Sequence, residues 1–331
     1  MVEVRKGIAL DFNKIFVNKK LVLACFSFFC FFTDCRQSSN RLQEHSSDIS
    51  ISGAFALYPM AVMWADEYKK IHPEIRINIS AGGAGKGITD ALLQVVDIGL
   101  VSRQLHPEEI NKGAWFIPVT KDAVVPTISA LNPQLDAILQ KGASKELLDK
   151  IFIDGTFKSW SELTVKNNLP VHVYTRSDAA GAAESWASFF GKHQEDLRGV
   201  AVYGDPGLEL AVLKDPYGIG YNNLVYLYDG KTRKQMDGIR ILPIDLNGNG
   251  TIDADENFYD SLDTLMNAIA TGKYPSPPAR DLYFVTNGKP QRKIVKDFIL
   301  WVLGDGQSFV HDAGYVNLSK ESIQESLAKM E

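Results

Sequence analysis

Beyond position 35 this chain of 331 residues has no cysteine, so the greater part of it folds without a disulfide. It also lacks an apolar run long enough to cross a bilayer. The longest, "LVLACFSFFCFFT" after Lys19 and Lys20, spans thirteen apolar or small residues, where a membrane helix needs about 20. There is no Gly-x-Ser-x-Gly elbow. The six histidines, His45, His72, His106, His172, His193 and His311, show no metal-ligand spacing, so an enzyme reading has no nucleophile and base to stand on. Excess positive charge is missing too. Without residues 1–34, which hold five Lys or Arg and three Asp or Glu, 30 basic and 37 acidic residues remain, a formal charge of −7. That balance argues against nucleic acid as a partner.

What is present begins with the amino terminus. Two lysines, a thirteen-residue apolar core and an abrupt change to the polar "DCRQSSN" suit a secretory signal over residues 1–34. All three cysteines, Cys25, Cys30 and Cys35, lie in or at the edge of this segment. A cysteine just past a signal core, followed by a Ser-rich tether (35–47), resembles a bacterial lipoprotein, and Cys35 is the expected acylation site. The expected location is the periplasm or cell surface, on a lipid anchor.

From residue 48 strands and helices alternate. "ISISG" reads as a strand, and "LYPMAVMWADEYKKIH" places Met60, Met63, Trp64 and Tyr68 at helical spacing. "IRINIS", "DIGLVS", "AVVPTIS", "PVHVYT", "GIGYNNLVYLYD" and "DLYFVTN" read as further strands, with helices between them. This order predicts α/β layers around a largely parallel sheet. No linker appears, which suits two interleaved lobes.

Three loops each follow an expected strand and open an expected helix: "SGAFALYP" (52–59), "GGAGKG" (82–87) and "RSDAAGAAESW" (176–186). Such loops aim backbone N–H groups at a ligand beyond the carboxyl ends of the strands. "GGAGKG" imitates a nucleotide loop, but Lys86 is followed by Gly87 instead of Ser or Thr. Its glycines serve either an anion held by the N–H groups of Ala84 to Gly87 or the tight packing of a turn. Arg176 adds a fork of donors suited to an oxyanion, and Arg103, after "DIGLVS", stands in a similar position.

The segment "ISGAFALYPMAVMWADEYKKIHPEIRINISAGGAGKGITDALLQVVDIGLVSRQL" resembles the opening of the phosphate-binding proteins of ABC transporters. "WSEL", "RSDAAGAAESWASFF", "GIGYNN", "YPSPPARDLYFVTNGKP" and "GDGQSFVHDAGYVNL" extend the likeness over nearly the whole exported chain. The resemblance implies a type II periplasmic-binding protein fold: two α/β lobes joined by two hinge strands, near Val124–Ser129 and Leu282–Thr286. Lobe 1 would hold 48–123 and 283–331, and lobe 2 would hold 124–282. It further implies a monomeric receptor that closes over phosphate and delivers it to an ABC permease, with no organic cofactor. The implied ligand positions are Ala54, Phe55 and Ala56, Ala84, Gly85 and Lys86, Ser102 and Arg103, Arg176 and Ser177, and Ala180, Gly181 and Ala182. Where the family presents hydroxyls, this chain has Ala54, Phe55, Ala56, Ala84, Ala180 and Ala182. Each lost charge-assisted hydrogen bond is worth roughly 1.5–3 kcal/mol, so another oxyanion (sulfate, molybdate or a phosphorylated metabolite) remains an alternative, as does a non-transport surface sensor. Lys86, Arg103, Arg176, Ser102 and Ser177 are the candidate replacements, and Asp178 either accepts the proton of hydrogen phosphate or pairs with Arg176.

A separate motif, "DLNGNGTIDADE" (245–256), fits the twelve-residue EF-hand calcium loop. Asp245, Asn247, Asn249, the Thr251 carbonyl, Asp253 and Glu256 occupy the ligand positions, and Gly250 the sharp turn. The strand-like "IRILPI" before it leaves room only for an exit helix, expected near Phe258. The bland alternative is an Asn-Gly-rich turn. Structural calcium is the expected cofactor.

Overall fold

The computed structural model describes residues 47–164 and 168–331. The signal segment, Cys35 and the tether up to residue 46 lie outside the described residues.

Eleven strands are described: β1 (Asp48–Gly53), β2 (Arg76–Ala81), β3 (Ile98–Val101), β4 (Ala114–Ser129), β5 (Ala143–Ser144), β6 (His172–Arg176), β7 (Val200–Val202), β8 (Gly218–Asn223), β9 (Ile239–Ile241), β10 (Ile244–Asp245) and β11 (Ala279–Asn287). Nine form one sheet in the order β2-β1-β3-β11-β4-β8-β6-β7, with β9 also paired to β4; β5 and β10 form a separate pair. The β1–β2, β1–β3, β6–β7 and β6–β8 pairs are parallel. β11 and β4 run antiparallel to their neighbours.

Two apolar cores flank the sheet. One gathers Ile49, Ile51, Trp64, Tyr68, Leu100, Ile117, Leu282, Phe284 and Phe298; the other gathers Val124, Ile128, Phe152, Trp160, Trp186, Tyr221, Ile241 and Leu265. β4 contributes Ile117 and Val119 to the first and Ala123 and Val124 to the second, while β11 gives Ala279 to the second and Leu282 to the first. The chain therefore passes between cores at residues 120–122 and 280–281, a few residues earlier than the resemblance suggested. At the crossings the two strands pair with each other, Arg280 opposite Asp122 and Asp281 opposite Lys121, and Lys121 also bridges to Val316, so the backbone there is hydrogen-bonded.

Local sequence explains the first unit. In β1 Ile49 and Ile51 point inward with period 2. In the helix Tyr58–Ile71, Pro59 sits in the first turn, where a missing N–H costs nothing, and Met60, Ala61, Trp64, Ala65 and Tyr68 line the buried face. Trp64 also donates from Nε1 to the Gly306 carbonyl at 2.8 Å. Truncation of such a side chain to alanine costs about 3–5 kcal/mol. The helix Ala84–Leu92 packs on β1 and β3 so closely that Gly53, Gly87 and Gly99 have no room for a side chain. A methyl at Gly87 would stand 2.5 Å from the Leu100 carbonyl oxygen, and one at Gly99 2.3 Å from the Gly87 oxygen. Part of the glycine cluster is thus a packing device.

Candidate functional site

β1, β2, β3 and β6 all end at the boundary between the two cores, and the loops after them meet there. Across it Gly85 N–H donates to the Ala179 carbonyl at 3.1 Å, and Tyr226 Oη donates to the Phe55 carbonyl at 3.1 Å. A methyl at Gly85 would lie 2.6 Å from Ala179 Cβ, and one at Gly181 2.2 Å from Ser102 Oγ. The Phe55 ring sits 5.6 Å from the Arg176 guanidinium and edge-on to Tyr203 at 5.9 Å. The cleft is closed in this structure.

Arg176 is the centre of the site, and its side chain is only 1% exposed. Nε and Nη2 donate to the two oxygens of Asp178 at 2.9 and 2.6 Å, and Nη1 donates to Asp205 Oδ2 at 2.5 Å. Burial works against the charge, but Asp205 and Asp178 outweigh it and the Arg176 pKa is raised. Its backbone N–H donates to Tyr221 Oη at 3.2 Å, a hydroxyl that also bonds the Thr175 hydroxyl at 2.8 Å.

From Arg176 a buried polar chain continues to the hinge. Asn223 Nδ2 donates to Asp205 Oδ1, and Arg280 donates from Nη2 to Asn223 Oδ1 and from Nη1 to the Gly181 carbonyl at 3.3 Å. Arg280 stands 3.5 Å from Asp122 Oδ2. Burial pushes Asp122 up to about 6 against the pull of Arg280. The same burial lowers the pKa of Arg280 in spite of Asp122 and Asp205.

The expected ligand residues separate into two sets. Ala54, Phe55, Ala84, Gly85, Ser102, Arg176, Gly181 and Ala182 belong to elements that meet at the cleft, and Ala54, Ala56, Ala84, Ala180 and Ala182 are fully buried. The first-turn N–H groups of the helix Gly181–Phe189 have no partner within that helix. The others are directed elsewhere. Lys86 runs back over Gly82 and pairs with Asp90, which also accepts from Ser52 Oγ at 2.7 Å, because one helical turn separates the two ends of that ion pair. Arg103 is held bidentately by Glu109 at 2.7 and 2.9 Å, and with Glu184, Ser185 and Arg280 it lines an inter-lobe groove of about 460 Å³. Ser177 is exposed, with its N–H on the Val202 carbonyl.

Nor do the N–H groups of Ala84 to Gly87 all point at one spot. Gly85 donates to Ala179 and Gly87 to the Gly83 carbonyl. Ala180 N–H is taken by Gln194 Oε1 at 2.9 Å, while Gln194 Nε2 holds the Asp178 carbonyl at 2.6 Å. Asp178 takes the plainer of its two roles and chelates Arg176, aided by Gly204 N–H at 3.1 Å.

Sequence reading missed Asp205, Gln194, Asn223, Arg280, Asp122 and Tyr203. For Asp205 the signal was there: "VAVYGDPGLEL" is a fourth strand, glycine and helix, with Gly204 at φ +74°. Tyr203 belongs to the same segment, and nothing local marks the other four, which are brought in by β4, β8 and β11 and by the turn after the helix Gly181–Phe189.

A family model described as PBP superfamily domain matches residues 38–306. The chain belongs to the PBP superfamily. Two relatives of this PBP chain are the phosphate-binding proteins PstS of Methanocaldococcus jannaschii, 27% identical over 86% of this chain and 86% of the relative, and of Bacillus subtilis, 26% identical over 85% and 84%. Among solved structures, a phosphate ABC transporter substrate-binding protein of Clostridium perfringens with bound phosphate superposes with a TM-score of 0.67 at 22% identity, covering 82% of this chain and all of that one. An ABC-type phosphate transport receptor of Vibrio cholerae superposes with a TM-score of 0.60 at 18% identity, with coverage of 82% and 100%. These likenesses agree with the type II fold of the PBP chain. The relatives are binding proteins and not enzymes.

Proposed function

We propose that this PBP chain is an exported receptor that captures phosphate between its two lobes and hands it to an ABC permease, from a lipid anchor at Cys35. One observation carries the anion reading: Arg176 and the first turn of the helix Gly181–Phe189 face the loops after β1, β2 and β3 across a closed cleft. Arg176 gives three of its five N–H donors to Asp178 and Asp205, which leaves two for a ligand. Helix N-terminal N–H groups supply further donors without side chains. Relatives that span the same length and are named for phosphate support the choice of anion. Among the described residues no helix is long and apolar enough to cross a membrane.

A second reading, a receptor for another oxyanion, is favoured by the methyl groups of Ala54, Ala56, Ala84, Ala180 and Ala182 where hydroxyls are expected. Calorimetric titration of the purified chain with phosphate, sulfate, molybdate and a sugar phosphate separates the two. Micromolar or tighter phosphate binding supports the first reading, and tighter binding of another anion supports the second. Absence of heat with every anion overturns both. Mass spectrometry of the membrane-extracted amino terminus tests the anchor, which an unacylated Cys35 would rule out.

A further inference from the structure

Four carboxylates are buried among the described residues: Asp122, Asp205, Asp245 and Glu256. The first two lie beside Arg280 and Arg176. Asp245 and Glu256, 4% and 3% exposed, meet no Lys, Arg or His within ion-pair distance among the described residues. Buried charges are ordinarily paired or bound to a metal.

Both belong to the loop 245–256, and the loop is already folded around them. Asp245 accepts from the N–H groups of Gly248 and Asn249 on Oδ1 and of Gly250 on Oδ2, at 2.8 to 3.2 Å. Glu256 reaches back from the far end to the N–H groups of Leu246 and Asn247 on Oε1 and of Asp253 on Oε2. Gly250, at φ +84°, makes the turn between them. Ile252 N–H pairs with the Gln140 carbonyl at 3.0 Å, and its side chain seats against Gly142, where a methyl would be 2.2 Å away. The loop is therefore fastened to the body of the second core.

We propose that residues 245–256 bind one calcium ion, with oxygens from Asp245, Asn247, Asn249, the Thr251 carbonyl, Asp253 and Glu256. The divalent charge matches the two buried carboxylates that have no counter-ion, and these are the oxygen types and positions a twelve-residue calcium loop uses. The Oδ1 atoms of Asn247 and Asn249 each accept one backbone N–H, at 3.0 Å, and keep a second lone pair for the cation. As the side chains lie, no three Asp, Glu, His or Cys groups surround one point among the described residues. Asp253 instead accepts from the side-chain amides of Asn247 and Asn249 at 2.8 Å. Calcium entry exchanges those two bonds for oxygen–metal bonds, a movement confined to exposed side chains. The exit helix starts later than the sequence suggests, at Leu262 with Ser261 as its cap, so the site is a lone loop between β10 and that helix. Its contacts with Gln140 and Gly142 make it a clamp on the β5–β10 corner.

The test uses the full chain stripped with a chelator, and requires no anion, so it stands apart from the receptor reading. Calorimetric titration with calcium chloride is expected to show one site with a dissociation constant between about 10⁻⁶ and 10⁻³ M. Saturating calcium is expected to raise the melting temperature by roughly 5 °C. Asp253→Asn keeps one acceptor oxygen for the amides of Asn247 and Asn249, and Glu256→Gln keeps one for the N–H groups of Leu246 and Asn247 while losing the bond to the Asp253 N–H, so each should weaken binding at least tenfold, with the unfolding free energy of each metal-free variant measured alongside. Asp255→Asn, at an exposed non-ligand position, should leave binding unchanged. No heat with calcium up to 5 mM in the unmodified chain, or binding that survives intact in both Asp253→Asn and Glu256→Gln, would overturn the site.

Discussion

The cleft and the loop 245–256 each bury two carboxylates, and each resolves their charge differently. In the cleft, Asp205 and Asp122 lie beside the guanidinium groups of Arg176 and Arg280, so the protein supplies its own cations. In the loop, Asp245 and Glu256 hold only backbone N–H groups, which orient a carboxylate without neutralising it. The difference teaches where an outside ion is needed. A loop whose buried carboxylates meet no cation calls for one from outside, whereas each carboxylate of the cleft, Asp178 included, already lies beside a guanidinium.

The strongest way to break the comparison is to remove the cation from the cleft. Arg176→Ala leaves Asp205 and Asp178 without their partner, and the expected cost is about 3–5 kcal/mol of stability, read by denaturant unfolding, together with loss of measurable phosphate binding. Undiminished affinity would remove Arg176 from the site. Next in size is closure. Gly85→Val places a branched side chain where even a methyl stands 2.6 Å from Ala179 Cβ, so the lobes cannot meet. Phosphate affinity should fall at least tenfold with little change in unfolding free energy, since the substituted position lies at the mouth and not in either core.

A gain of function sharpens the anion side. Ala180→Ser places one hydroxyl at the cap of the helix Gly181–Phe189, and a charge-assisted hydrogen bond of about 1.5 kcal/mol corresponds to roughly tenfold tighter phosphate binding. Unchanged affinity for phosphate alongside tighter binding of a different anion would favour the second reading.

A smaller effect concerns protons. The Asp122 carboxyl is pushed from 3.8 up to about 6 by burial, so the folded state holds a proton that the unfolded chain has already released. Its contribution to stability is present at low pH and declines as pH rises from about 4 through 6. Asp122→Asn should therefore gain in melting temperature relative to the unmodified chain as pH rises across that window, and parallel curves would contradict the assignment. Smallest of all, Lys86→Ala should change phosphate affinity less than twofold, because Lys86 is about half exposed and pairs with Asp90 in its own helix. A tenfold loss would return it to the anion site.

Much of the architecture was legible. Alternation in "ISISG" and the helical spacing of Met60, Trp64 and Tyr68 are local patterns, and local patterns survive folding when the buried face agrees with them. The glycine loop was legible as a strand-to-helix turn, but its division of labour was not: Gly87 serves packing, Gly85 serves lobe contact, and Lys86 turns away. Asp205 carried the same strand-glycine-helix signal as the three loops that were noticed. Asn223, Arg280 and Asp122 carried none, since they converge only when β8, β11 and β4 lie side by side.

By itself, then, the sequence determined the alternating α/β order, the family likeness and the spacing of oxygens in 245–256, because each depends on residues close together in the chain. Tertiary structure decided which charges are matched. Arg176 meets Asp205 across 29 positions and Arg280 meets Asn223 across 57, and whether a buried carboxylate finds a guanidinium or only N–H groups is a property of what the fold packs beside it.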